Sequence, residues 1–400
     1  MPDVLLLEKI HQDAETALVE AGLTVGRIDG GLSGPDLTDA LAGVRVLGIR
    51  SKSAVTPDVL KAASSLEAVG CFCIGTNQVD LNAAAAAGTV VFNSPFSNTR
   101  SVAELTIAEI IALQRRLLDR SMGLHAGHWS KSATGAHEVR GRVLGIVGYG
   151  HIGSQVSVLA EALGMRVRYY DILPRMALGN AHPCDSLQSL LASADVVSLH
   201  VPATPATHHM IDAAAIASMK AGAVLINNAR GTVVDLAALR PAIESGHIGG
   251  AALDVFPEEP GTNDEAFDCP LAGCRNVILT PHVGGSTEEA QAQIAADVAT
   301  KLIRYLGTGT TSAAVNVPEV DLPGHRPEHV RILHFHHNVP GVLSALHAII
   351  ADAGANIHAE YLQSAGDVSY VILDIDRVDV ASLSDRIAGM DETIRFRLLG

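Results

Sequence analysis

The fold is decided by the segment Val143-Leu-Gly-Ile-Val-Gly-Tyr-Gly-His-Ile-Gly153. Its apolar first half, Val143–Val147, predicts a buried strand, and the residues after the glycines predict a helix. Gly148 suits the tight turn, Gly150 leaves room for a pyrophosphate at the backbone, and Gly153 lets the helix pack closely on the strand. The segment therefore predicts a dinucleotide site with the phosphates at the N-terminus of the helix.

An acidic residue strengthens this prediction. Asp171 follows the next apolar run, 167–170, at roughly the twenty-residue offset of the acid that binds a ribose hydroxyl. A carboxylate there would repel a 2′-phosphate, so the ligand is predicted to be NAD and not NADP. Because the glycine turn lies in the middle of the chain, we expect its domain to be inserted into another.

Composition limits the possible partners. The 400-residue chain is 48% hydrophobic and carries a formal net charge of −15, which excludes nucleic acid and an anionic membrane surface as main partners. The N-terminus lacks a basic region and no apolar run is long enough to span a bilayer, so we expect a soluble cytoplasmic protein. The 5 cysteines lack metal-ligand spacing, and we expect neither a metal site nor disulfides.

Strand and helix patterns alternate along most of the chain. Residues 1–97 predict an α/β domain, and apolar residues at helical spacing predict one long helix over Val102–Arg120. After the glycine turn the alternation continues and predicts a doubly wound parallel sheet, with its active crevice at the carboxyl ends of the strands. The strands expected there are Asp195–His200, Ala223–Asn227, Gly250–Asp254 and Val277–Leu279.

After residue 285 the regular alternation of strand and helix patterns ends. A capping box at Ser286–Glu289 predicts a long helix to about Tyr305, and the Thr- and Pro-containing segment 308–327 predicts a linker. The remaining residues predict the order strand, helix, strand, strand, helix, strand. This order indicates a ferredoxin-like domain.

Polar groups suited to chemistry follow three successive predicted strands. His282 can accept the proton of an alcohol during oxidation to a ketone, and Glu259 can orient its ring and favour the imidazolium. Arg230 can bind a carboxylate through two parallel hydrogen bonds. Each residue alone would also suit a solvated loop, but three at successive strand ends favour an active site.

The combined motifs resemble the D-2-hydroxyacid dehydrogenases. The similarity rests on the glycine turn, on the motifs 228–232, 254–260 and 280–285, and on the long matches 70–80 and 93–104. It implies a Rossmann-like NAD domain (98–284) inserted in a flavodoxin-like α/β substrate domain (1–97 with 285–326), followed by an ACT regulatory domain (327–400). Arg230, Glu259 and His282 fall on the catalytic positions. The implied cofactor contacts are Gly148, Gly150, His151, Ile152, Gly153, Asp171, Asn228, Ala229, Arg230, Asp254, His282, Val283, Gly284 and Gly285.

The resemblance also implies the substrate, 3-phosphoglycerate. Arg50, Ser51 and Lys52 form a basic cluster suited to its phosphate, although the cluster alone would also suit a solvated turn. Lys52 stands where close relatives carry arginine, so the phosphate contacts can differ there. Asn98 and Lys131 are further implied substrate residues. Lys131 is expected to complete the site of a neighbouring subunit. This implies a homo-oligomer, which we expect to be a tetramer.

Regulation is implied by the ACT domain. His336, Asn338 and Asn356 match the positions that bind L-serine in similar domains, so feedback inhibition by serine is expected. A purely structural ferredoxin-like module is the alternative. The linker has one glycine, Gly324, before His325 where some relatives have a pair, which makes regulation by linker motion less firmly implied than serine binding.

Two other functions remain open from the sequence. A similar enzyme could oxidise another D-2-hydroxy acid such as 2-hydroxyglutarate, or reduce 2-oxoglutarate as a second activity. Dehydrogenase-like transcriptional corepressors keep the same fold and catalytic set but use NADH as a signal. They lack an ACT domain, whereas this chain is expected to have one.

Overall fold

The structure, a computed structural model, describes residues 1–260, 265–322, 324 and 326–400. It contains two compact units. One comprises Met1–Ser97 and Gln291–Gly400, and the other comprises Asn98–Ala290. Among the described helices, none is long and apolar enough to cross a membrane.

The first unit begins with a five-stranded sheet in the order β2-β1-β3-β4-β5, in which all neighbours are parallel. This is the flavodoxin-like order, and the short strands other than the edge strand β2 are buried because helices cover both faces. Its elements are β1 Val4–Leu7, α1 Gln12–Glu20, β2 Val25–Ile28, α2 Gly34–Ala40, β3 Val46–Ile49, α3 Pro57–Ala62, β4 Ala68–Cys71, α4 Leu81–Ala86 and β5 Val90–Asn93.

The second unit has a seven-stranded parallel sheet in the order β12-β11-β10-β9-β6-β7-β8. The order reverses beside β6, which places the switch point of a doubly wound sheet at the glycine turn. Its elements are α5 Thr99–Gln114, α6 Leu117–His125, β6 Val143–Val147, α7 His151–Ala162, β7 Arg166–Tyr170, β8 His182–Pro183, α8 Leu187–Ser193, β9 Val196–Leu199, α9 Ala213–Ser218, β10 Ala223–Asn227, α10 Leu236–Glu244, β11 Ile248–Leu253 and β12 Val277–Leu279.

The prediction of a single helix over Val102–Arg120 is wrong. The structure divides it into α5 and α6, because Arg116 has a left-handed backbone with φ 50° and interrupts the helical hydrogen bonds. Apolar spacing continues across the break, so periodicity alone did not reveal it.

The predicted linker is ordered over much of its length. Helix α11, Glu288–Thr308, is capped by Thr287, whose hydroxyl accepts from Ala290 N at 3.2 Å, and not by Ser286. After the helix, Thr311 is fully buried and Val315 N donates to Val91 O at 2.9 Å. The segment therefore packs beside β5 and is not a free tether. Pro323 and His325 of the predicted linker lie outside the described residues.

The C-terminal domain has the predicted ferredoxin-like order, with an antiparallel sheet β14-β15-β13-β16. Its elements are β13 His329–His337, α12 Val342–Asp352, β14 Ile357–Ala365, β15 Val368–Asp376, α13 Val380–Ala388 and β16 Thr393–Leu399. One face of the sheet packs on its own helices. The other face, through Phe335 and Tyr370, joins the same apolar cluster as Phe92 and Tyr305, so this domain shares a core with the first sheet.

Candidate active site

The three glycines of the nucleotide turn meet different constraints. Gly148 has φ +90°, and an added Cβ would lie 2.4 Å from His200 O. At Gly153 an added Cβ would lie 2.2 Å from Gly148 O, so the helix can only start this close to the turn with glycine there. Gly150 faces open space, which suits the approach of a pyrophosphate to the N-terminus of α7. His151 is exposed and Ile152 half-buried in the first turn of that helix.

Asp171 connects the end of β7 to this turn. One carboxylate oxygen accepts from Tyr149 N at 2.8 Å and the other from Leu173 N at 2.9 Å. Arg175 Nε lies 3.4 Å from the same carboxylate. The acid is therefore fixed beside the glycine turn, where a ribose hydroxyl would bind.

The centre of the site is a hydrogen-bonded histidine and glutamate. His282 Nδ1 lies 2.8 Å from Glu259 Oε2, and Glu259 Oε1 accepts from Phe256 N at 3.0 Å. The hydrogen bond to Glu259, opposed by partial burial, raises the pKa of His282 above its ordinary value. Burial alone would raise the pKa of Glu259, but the bonds from His282 and the Phe256 amide lower it. The pair leaves Nε2 of His282 as the nitrogen that can exchange a proton with substrate.

The backbone around His282 is held by Asp254. His282 has a left-handed backbone, φ 53°, just beyond β12. Asp254 is 2% exposed, and its carboxylate accepts from Thr280 Oγ1 at 2.6 Å, Val283 N at 2.8 Å and Gly284 N at 2.7 Å. Asp254, assigned to the cofactor by resemblance, therefore also fixes the turn that carries the base.

Arg230 lies close enough to influence both members of the pair. Its positive charge lowers the pKa of Glu259 and opposes the rise in the pKa of His282. Both effects are smaller than those of burial and of the Glu259–His282 hydrogen bond. Its loop approaches the loop after β11 at Gly231, where an added Cβ would lie 1.9 Å from the backbone carbon of Phe256. Only glycine permits this approach, which brings the loop of Arg230 against the loop of Glu259.

One polar residue of this site was missed by the sequence analysis. Glu109, on α5, is 3% exposed, and its Oε2 accepts from Asn228 Nδ2 at 2.7 Å. Burial, with a smaller contribution from the charge of Asp254, raises the pKa of Glu109 to about 7, while the bond from Asn228 opposes the shift. A glutamate within an apolar helix pattern could have been noticed, but nothing local showed that it faces Asn228.

Several buried acceptors in this unit have no hydrogen-bond partner. They are Asn98 Oδ1, Glu109 Oε1 and Asn228 Oδ1. Asn98 lies against the turn after β12, since an added Cβ at Gly285 would be 2.3 Å from its Nδ2. Ala229 is also buried. Because buried polar groups are normally satisfied, these atoms fit a polar ligand such as the amide of a nicotinamide.

The remaining substrate candidates belong to other segments of the chain than these loops. Arg50, Ser51 and Lys52 follow β3 in the first unit, with Ser51 and Lys52 exposed. Lys131 lines a cavity of about 790 Å³ that contains no residue of the catalytic loops. Trp129 nearby is 81% exposed. Within the second unit, Lys131 is thus not gathered with His282. The described residues contain no group of three or more His, Cys, Asp or Glu that could hold a metal ion.

The three effector candidates do not converge within one chain. His336 is buried with Nε2 unpartnered, and Asn338 Nδ2 donates to Gly366 O at 3.0 Å. Asn356 instead neighbours the other end of the sheet, where its backbone N–H donates to Asp376 Oδ2 at 3.0 Å. The strand register separates the two groups by about eight residues, or roughly 25 Å.

A Rossmann-type sheet, an acid fixed beside its glycine turn and a histidine–glutamate pair with a nearby arginine define a nicotinamide-dependent dehydrogenase. Comparison with known proteins agrees: residues 107–284 match the D-isomer specific 2-hydroxyacid dehydrogenase NAD binding domain. Residues 332–395 match the AHAS small subunit-like ACT domain. The predicted fold class, NAD-binding domain and ACT domain are thereby confirmed.

Relatives match the chain over almost its full length. It is 51% identical over 396 residues to D-3-phosphoglycerate dehydrogenase of Haemophilus influenzae, covering 99% of this chain and 96% of the relative. It is 48% identical to D-3-phosphoglycerate dehydrogenase 1 of Saccharomyces cerevisiae, covering 99% and 87%. The chain belongs to the D-3-phosphoglycerate dehydrogenase family within the D-2-hydroxyacid dehydrogenases.

Solved structures agree on the fold. D-lactate dehydrogenase from Aquifex aeolicus, complexed with NAD and lactic acid, superposes with a TM-score of 0.69 at 30% identity. The similarity covers 79% of this chain and 100% of that protein.

Proposed function

We propose that this protein catalyses the NAD-dependent oxidation of 3-phosphoglycerate to 3-phosphohydroxypyruvate, the first step of the phosphorylated route to L-serine. The observation that carries the proposal is the 2.8 Å contact between His282 Nδ1 and Glu259 Oε2 at the strand ends of an NAD-binding domain. A general base with a pKa near neutrality and an orienting carboxylate is what alcohol oxidation requires. The names of the relatives supply the substrate.

His282, Glu259 and Arg230 have separate roles in the reaction. His282 Nε2 accepts the hydroxyl proton of the substrate while the C2–H bond breaks, and Glu259 stabilises the resulting imidazolium. Bound NAD supplies the acceptor for the hydride. Arg230 binds the substrate carboxylate and stabilises charge at the forming carbonyl oxygen. In the reverse direction the same histidine returns the proton.

Recognition of the phosphate is assigned to the exposed basic loop. Arg50 and Lys52 supply positive charge in a chain of net charge −15, and the Ser51 hydroxyl can add a hydrogen bond. Asn98 is a further proposed substrate contact, whose side-chain amide group can donate to a substrate oxygen. Lys131 is proposed to serve the site of a neighbouring subunit, in keeping with its place in a cavity that no residue of the catalytic loops lines.

We further propose that L-serine binds the ACT domain and inhibits the enzyme. His336 and Asn338 lie at one end of the sheet and Asn356 at the other, so a shared serine site needs two copies paired along the exposed edge strand β14. This requirement supports a homo-oligomer, for which we propose a tetramer. Sedimentation with and without serine would determine the size of the assembly.

The test is a comparison of substrates. Turnover with NAD or NADH is measured on 3-phosphoglycerate and its ketone, and on 2-hydroxyglutarate, glycerate and lactate, each with and without L-serine. We expect a strong preference for the phosphorylated pair and inhibition by serine. His282→Ala serves as the control, since it should lower turnover by roughly 10²–10⁴-fold while NADH binding persists. A preference for lactate together with indifference to serine would contradict both proposals.

A further inference from the structure

The loop that carries Arg50, Ser51 and Lys52 has an internal anion. Glu8 Oε2 accepts from Ser51 N at 2.9 Å and from Lys52 N at 2.9 Å, and Glu8 Oε1 accepts from Ser53 N at 2.8 Å. One carboxylate thus satisfies three successive amides of the loop. Such converging amides form an anion-binding nest, and here the nest is filled by the protein itself.

The backbone at Glu8 is unusual. Glu8 follows β1 and is 7% exposed, and both Glu8 and Lys9 have left-handed backbones, with φ 60° and 52°. Residues with long side chains rarely adopt this conformation, and its occurrence marks positions where the surroundings require it. Because β1 and β3 are parallel neighbours, this turn lies beside the loop after β3 and directs the carboxylate into it.

Other contacts fix the same loop. The Ser53 side chain is buried, accepts from Leu32 N at 3.1 Å and also hydrogen-bonds to Glu8. Gln78 Nε2 donates to Arg50 O, and an added Cβ at Gly31 would lie 2.9 Å from Lys52 Cβ. Burial would raise the pKa of Glu8, but the hydrogen bonds from the loop lower it, so the group is ionised at neutral pH.

From this geometry we propose that Glu8 is a positioning residue for phosphate recognition. By occupying the backbone amides, its carboxylate leaves the phosphate to the side chains of Arg50 and Lys52 and holds their backbone in one conformation. The proposal rests on the proposed function, in which this loop binds the substrate phosphate. Glu8 itself touches no substrate.

The two obvious substitutions act differently on this arrangement. Glu8→Gln keeps the size of the side chain but replaces one acceptor oxygen by an amino group that faces an N–H donor. Glu8→Asp keeps both oxygens on a side chain one methylene shorter. Glu8→Gln should therefore disturb the loop more than Glu8→Asp.

Asp3→Asn provides a matched control. Asp3 precedes the same strand β1, and its carboxylate accepts from Thr24 N at 3.0 Å and Thr24 Oγ1 at 2.6 Å, away from the basic loop. It tests the loss of a structural carboxylate from the same sheet.

The readout is the ratio of kcat/KM for 3-phosphoglycerate to kcat/KM for glycerate, which lacks only the phosphate. In Glu8→Gln we expect KM for 3-phosphoglycerate to rise roughly 10–100-fold with little change in kcat, so that the ratio falls. Glu8→Asp should give a smaller effect and Asp3→Asn none. Thermal unfolding of each variant shows which are folded, and Glu8→Asp provides the test if Glu8→Gln is not.

The outcomes separate the two proposals. If the wild-type protein shows no preference for 3-phosphoglycerate over glycerate, the proposed function is wrong. If the preference exists but Glu8→Gln lowers both kcat/KM values equally, or leaves or lowers the KM for 3-phosphoglycerate, the positioning role is wrong.

Discussion

At the residue scale, the protonation of His282 depends on its partner. Oxidation requires the neutral imidazole, so kcat/KM should rise with pH through the pKa of His282, which Glu259 holds above 6.5. In Glu259→Gln the negative charge is lost, and we expect the midpoint of this profile to move to lower pH while the plateau falls. The measurement is kcat/KM for oxidation against pH. An unchanged midpoint would show that Glu259 does not set this pKa.

A second prediction at this scale concerns Glu109. Its folded-state pKa of about 7 lies above the ordinary value of 4.5, so the folded protein retains a proton that the unfolded chain loses. The stabilising contribution is complete below the unfolded pKa and is lost as pH rises towards about 7. Glu109→Gln should therefore become more stable relative to wild type between about pH 5 and pH 8, by at most about 3 kcal/mol.

Urea unfolding of both proteins at the two pH values measures the difference. Because both chains share every other titrating group, their difference isolates Glu109. If the difference in free energy of unfolding between the two proteins is the same at both pH values, the carboxyl group of Glu109 does not change its charge in this range.

At the scale of elements, two loops depend on a glycine contact. Gly231→Ala places a Cβ 1.9 Å from the backbone of Phe256, so the loop of Arg230 must move away from the loop of Glu259. A displacement of about 1 Å in such a site can lower turnover by roughly 10²-fold. Gly307→Ala, where an added Cβ meets nothing within 4 Å, is the control. Steady-state kinetics should show the loss only in the first variant, and equal kinetics would contradict the close approach.

Much of the element order could be predicted because apolar periodicity reports it directly. The strands before Arg230, Glu259 and His282 lie where the sequence places them, and parallel strands end at one edge, so the motifs meet. The break at Arg116 could not be predicted, since it depends on one backbone torsion within a continuous apolar pattern.

Contacts between segments far apart along the chain could not be predicted from the sequence either. Glu8 and the loop at Ser51 are far apart along the chain, and neither stretch carries a motif that joins them. The packing of 308–322 was missed because threonine and proline are common in loops whether those loops are free or packed.

At the scale of the whole chain, one buried arginine of the ACT domain also hydrogen-bonds to the segment before that domain. Arg331 is fully buried, binds both carboxylate oxygens of Asp374 at 2.7 and 2.8 Å, and donates to Thr308 O and Leu322 O. Arg331→Met leaves the Asp374 carboxylate buried without its partner, and we expect a loss of about 3–5 kcal/mol in the free energy of unfolding.

The control is Arg304→Met. It removes an exposed ion pair to Asp321, with N–O distance 3.4 Å, and should cost only about 0–1 kcal/mol. Chemical denaturation followed by circular dichroism compares the two variants. A small loss in Arg331→Met would show that this buried ion pair contributes little to stability.

The shared core has a consequence for any attempt to shorten the chain. Phe335 and Tyr370 of the ACT sheet complete the cluster that buries Phe92 and Tyr305, and Arg397 lies over the Tyr305 ring at 4.9 Å. Truncation after residue 322 would expose this aromatic surface to water and favour aggregation. Deleting the ACT domain therefore removes part of the core of the remaining chain. A catalytic fragment would need polar replacements on the surface that becomes exposed.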